Sequence, residues 1–226
     1  MFFNNRKRAA ALASVVAAAT MGAGLIVPVA SAADTTAKTT SDATLSWSLS
    51  KIATGGSWVG GCNFISAGEA GDTGKAMTAW TADNPKPGFQ AADGNVSIKY
   101  PDAKGDLTVT PTWDTKCLTS SGATATPYSG GNGSSTGATV NFSKGTGTID
   151  TTANTADITW KGSFTVAFYG GMTYWFASDP ELKVNADGTA TLTADLSGYG
   201  TDRGGSTWSK LPVAENQTIA ELKNVR

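Results

Sequence analysis

Any chemistry available to this chain is restricted first by what it lacks: its 226 residues include no histidine. That removes Ser-His-Asp and Cys-His nucleophile systems, histidine general-base catalysis and histidine-ligated zinc or iron. Paired carboxylates remain as a route to glycoside hydrolysis. The glutamates are Glu69, Glu181, Glu215 and Glu221, all in stretches that read as loops or strand ends and as solvated charges. No G-x-x-x-x-G-K sequence occurs, and Gly130-Gly131-Asn132-Gly133 has no strand-to-helix context that would cradle a phosphate. A protein without enzymatic activity is therefore expected.

Cys62 and Cys117 are the two thiols. An even count in an exported chain points to a disulfide, which for a loop of this length stabilises by roughly 2–5 kcal/mol. The rival use, a metal pair, is weak because two thiols without a histidine do not complete a usual zinc site. The densest aromatic stretch runs from Trp160 to Pro180. There Gly170-Gly171 separates two strand-like runs and sets Tyr169 at a turn edge. A phenol in that position faces solvent or a ligand, or it packs with its hydroxyl on a backbone carbonyl.

The elements that must position these groups are strands. The chain opens with Arg6-Lys7-Arg8, an apolar stretch from Ala9 to Val29 and then Ala30-Ser31-Ala32, the pattern of a signal peptide spanning 1–32 with cleavage after Ala32. Removing it takes the formal charge from -1 to about -4. An acidic surface with no Lys/Arg cluster argues against a nucleic-acid partner. No later stretch is apolar for long enough to be a transmembrane segment, so a secreted or cell-surface location is expected. Residues 33–42 read as a flexible leader. From Thr44 on, Leu45, Trp47 and Leu49 alternate with serines in the period of a half-buried strand. Further alternating runs include Val96–Tyr100, Leu107–Trp113, Val140–Phe142, Ile158–Trp160, Phe164–Phe168 and Ala190–Leu196, and Asp187-Gly188 carries tight-hairpin chemistry. The segment at about 119–137, almost wholly Ser, Gly, Thr and Ala, reads as a mobile insertion in one domain. The fold class expected is all-β, an antiparallel β-sandwich or partly open barrel with long loops.

Within this frame the chain from 43 to 226 resembles the Htaa domain of corynebacterial and related actinobacterial haem-uptake proteins, which are secreted or surface-held. The likeness rests on Ile158-Thr159-Trp160-Lys161-Gly162-Ser163-Phe164, Tyr169-Gly170-Gly171, Ser178-Asp179-Pro180-Glu181-Leu182, Asp187 to Ala194, and Thr218-Ile219-Ala220, with a weaker echo at Leu45-Ser46-Trp47. The resemblance implies haem binding and iron acquisition, through a phenolate that suits ferric iron as a hard anionic donor. The family's early tyrosine has no counterpart among Ser48 to Ala53, and Tyr169 stands where the family's histidine is expected. On this reading Tyr169 is the iron ligand, and Phe168, Met172, Tyr174 and Trp175 are pocket walls, with Met172 a soft second donor. Arg203 pairs with a haem propionate, and haem donor or acceptor proteins of the cell envelope are the partners. The alternative is an envelope module that has lost haem and binds cell-wall glycan on a platform built from Trp58, Trp80, Trp113 and Trp208.

Overall fold

The computed structural model describes residues 37–202 and 207–226. The signal segment 1–32, the first four leader residues and Arg203 lie outside the described residues. Eleven strands follow one another: β1 (Lys38–Ser48), β2 (Phe64–Ala67), β3 (Ala92–Asp93), β4 (Val96–Lys99), β5 (Thr139–Asp150), β6 (Thr155–Thr159), β7 (Ser163–Phe168), β8 (Thr173–Val184), β9 (Ala190–Gly200), β10 (Ser209–Lys210) and β11 (Ala214–Leu222). Among the described residues one 3₁₀ turn, Tyr169–Gly171, sits between β7 and β8.

The strands form an antiparallel sheet that curls into a nearly closed barrel, an all-β fold as expected. Two long strands organise it. One edge of β5 carries β1, and the other carries β4 on its first half and β6 on its second. One edge of β8 carries β7 and then β6, and the other carries β9, which in turn holds β10 and β11. β2 pairs with β7. Closure comes from two backbone bonds, Ala67 N–H to Gln90 O and Ile98 N–H to Ala91 O, which tie β2 to β4 through the chain between them.

Strand alternation sorts side chains into two cores. Leu45, Ile98, Val140, Phe142, Ile158, Trp160, Phe164, Val166, Leu182 and Leu192 fill the interior. Phe64, Trp80, Ala167, Tyr174 and Phe176 form a second cluster with the disulfide cysteines. Cys62 and Cys117 are bonded, with Cα atoms 5.6 Å apart across 55 residues. The hairpin at Asp187-Gly188 is present, with Gly188 at φ 81° and Asn185 N–H donating to Thr189 O in reverse order of the chain.

Three local expectations change. β1 starts at Lys38, inside the stretch expected to be a flexible leader, because the free edge of β5 offers Gly147 to Ile149 a backbone partner that does not depend on apolar side chains. The segment 119–137 is held rather than mobile: Ala125 N–H donates to Cys117 O, Thr136 N–H to Thr54 O, and Ala125 and Thr136 are buried. Its order comes from hydroxyl and backbone hydrogen bonds, such as those of Ser134 with Thr126, which composition alone does not reveal. Leu107 to Trp113 makes one bridge, Tyr100 with Val109, instead of a strand.

Candidate functional site

Three separate segments converge on Gly170. Its N–H donates to Cys62 O at 3.1 Å, and its carbonyl accepts from Trp80 N–H at 2.9 Å. Gly61 lies in van der Waals contact range, where a Cβ built on it would stand 3.5 Å from the Gly170 Cα. Gly171 lies flat on the Trp80 indole, where a Cβ would fall 2.2 Å from Cδ1. At Gly171 a side chain would collide with the indole, so the close approach of this turn to Trp80 requires glycine.

Each of these segments also bears large side chains exposed to solvent. Trp58 is 75% exposed and Val59 61% on the first, Met77 71% on the second, and Tyr169 45% on the third. Tyr169 adopts φ 56°, a left-handed conformation that costs a non-glycine residue roughly 1–2 kcal/mol. Asn63 holds it there. This residue is 95% buried by its 5% exposure, accepts the Tyr169 N–H on Oδ1 at 2.8 Å, and donates from Nδ2 to Ile52 O at 2.8 Å. On the second segment Thr78 Oγ1 and Trp80 Nε1 are buried without a hydrogen-bond partner. Unpaired buried donors cost about 1–3 kcal/mol each and call for a specific explanation such as a bound water or ion.

The residues expected to wall a pocket do not come together. Tyr174 and Trp175 are adjacent in β8, so the pleat sends Tyr174 into the disulfide-side cluster and Trp175 towards the barrel interior, where Phe168 also packs. Tyr174 has no free hydroxyl: it donates to Gly71 O at 2.7 Å and accepts from Thr73 N–H. Burial raises its pKa above the ordinary phenol value, which suits a neutral structural hydroxyl. Met172 is half-buried at the end of the turn. Only Tyr169 of the expected set reaches solvent as a phenol on an open rim.

The tryptophans do not make a platform either. Trp80 is buried, Trp113 packs on Phe64 under the Lys116 ammonium 3.3 Å from its ring centre, and Trp208 stacks on Tyr199 with its indole N–H on Asp72. Trp58 alone of the four stands out in solvent. Two of the four glutamates are engaged with lysines, Glu69 with Lys210 and Glu181 with Lys183. Among the described residues no helix is long and apolar enough to cross a membrane.

Asn63, Val59 and Met77 were not singled out from the sequence. Asn63 carried a faint signal, a short amide beside a cysteine and a glycine pair; Met77 carried none. Comparison of the chain with protein-family models, with curated proteins and with solved structures finds no match.

Proposed function

We propose that this chain is an exported, non-catalytic haem-binding module of the cell envelope, with Tyr169 as its iron ligand. The observation that carries the reading is an exposed phenol fixed in left-handed backbone at the meeting point of three apolar-tipped loops. A surface of this kind suits a flat apolar ligand, and a strained, externally supported residue is characteristic of a binding position. Tyr169 supplies a phenol donor suited to ferric haem, and the exposed apolar side chains on the segments that meet at Gly170 are Trp58, Val59 and Met77, while Tyr174, Trp175 and Phe168 pack into the two cores. When bound, haem would supply a ferric centre that accepts a phenolate. The chain's own part is to present that phenol: Asn63 fixes the backbone, and the Cys62–Cys117 bond anchors the loop segment before β2 whose carbonyl accepts from Gly170. The resemblance to haem-uptake domains and the signal-peptide pattern support export and exchange with haem donors or acceptors of the envelope.

Titration of the purified, disulfide-intact chain with ferric haem, followed by visible absorption, tests this. Saturation at about one equivalent is expected, with Tyr169→Phe weakening binding at least about tenfold and losing the phenolate-to-iron band. No saturable shift would remove haem from the reading. A shift identical in Tyr169→Phe would leave haem and remove Tyr169.

A further inference from the structure

A second feature lies on the outer face of β1, β5 and β4. Ser46 and Ser48, Thr139 and Asn141, Ser97, and Leu107 at the lip line a cleft of about 520 Å³. That volume falls within the about 300–1,000 Å³ of ligand clefts. The register places its polar groups in rows across three strands: Ser46, Asn141 and Ser97 side by side, then Ser48, Thr139 and Lys99. Lys99 is not among the lining residues and reaches Thr110 Oγ1 at 2.7 Å.

The polar floor is set in advance of any ligand. Asn141 accepts the Ser46 hydroxyl on Oδ1 and donates from Nδ2 to the carbonyls of Thr139 and Ser97, which assigns its amide orientation. Ser48 and Thr139 share a hydrogen bond at 2.8 Å. The wall that bears Leu107 is equally fixed, since the Asp102 carboxylate accepts the N–H groups of Lys104 and Asp106 and Tyr100 bonds Val109 in both directions. Among the described residues, the Asn95 amide and the Ser97 hydroxyl line the cleft without a hydrogen-bond partner of their own.

No lining residue carries a charge. Hydroxyls and amides offer donors and acceptors together, which matches a ligand bearing hydroxyls of both kinds, while a charged ligand would leave water here for no counter-charge. Leu107, 41% exposed, supplies an apolar contact for the C–H face of a ring. We propose that this cleft binds an uncharged saccharide. The site shares no residue with the Tyr169 rim and does not depend on haem binding.

Calorimetric titration of the full chain with hexamers of glucose, mannose and arabinose, and with a galacturonate hexamer as the charged control, tests the proposal. Saturable binding to at least one neutral hexamer and none to the galacturonate is expected. Asn95→Ala and Ser97→Val each weaken that binding about tenfold. Both side chains are half-exposed and unbonded, so the melting temperature stays at the wild-type value and serves as the folding control. Failure of every neutral hexamer to bind at millimolar concentration, tighter binding of the galacturonate, or unchanged affinity in both variants overturns the assignment.

Discussion

Asn63 shows how one buried amide can decide what a surface presents. Its two ends join the Ile52 carbonyl to the Tyr169 N–H, so a backbone conformation that tyrosine disfavours is held by a residue 106 positions away in sequence. Asn63→Ala removes both bonds: the Ile52 carbonyl keeps the Gly55 N–H, the Tyr169 N–H loses its partner, and the loss costs about 1 kcal/mol. Urea denaturation is expected to show that loss, and haem titration a weaker affinity for a protein that is still folded at low urea. Full retention of affinity would mean that Tyr169 does not need its backbone held. Reading Tyr174 and Trp175 as walls of one pocket overlooked strand alternation, since neighbours in a strand point to opposite faces and these two fall in different cores. Asn63 was not legible, because an amide's partners lie wherever the fold brings carbonyls.

At the scale of elements, the loops bearing the rim owe their positions to the disulfide and to glycine contacts rather than to strands of their own. Cys62 carries the carbonyl that receives Gly170, and Cys117 is the residue whose carbonyl orders the start of the Ser/Gly segment through Ala125. Replacing both cysteines by serine opens a 55-residue closure and is expected to lower stability by about 2–4 kcal/mol, read as a fall in the urea midpoint. A midpoint equal to wild type would show that hydrogen bonds alone hold these loops. Strand positions were broadly readable from alternation, as at Leu45–Trp47 and Phe164–Phe168. The ordering of 119–137 was not, since Ser, Thr and Gly form a turn network or a solvated chain depending on what stands opposite.

Over the whole molecule, two buried phenols link the fold to pH. Tyr100 donates to Lys116 O at 2.7 Å and Tyr174 to Gly71 O, and burial pushes both above the ordinary value near 10. The folded state therefore keeps protons that the unfolded state releases above about pH 10. Their contribution is complete below that pH and is lost as pH rises past it. The melting temperature is expected to fall above about pH 10, with a shallower fall in Tyr174→Phe, and phenolate absorbance from two of the five tyrosines should appear only as the chain unfolds. Ionisation of all five in the folded protein would contradict the burial of Tyr100 and Tyr174.

From the sequence alone came the all-β class, the pairing of the two cysteines, the Asp187-Gly188 hairpin and the placing of Tyr169 at a turn edge. These follow from period-2 alternation, glycine conformations and residue counts, which are local or compositional. The tertiary structure decided that the segments of Cys62 and Trp80 both bond the backbone of Gly170, beside Tyr169, and that Ser46, Asn141 and Ser97 stand in one row. Those juxtapositions join residues tens of positions apart: alternation and turn chemistry set register within a hairpin, but which distant strands and loops meet is decided only by the tertiary fold.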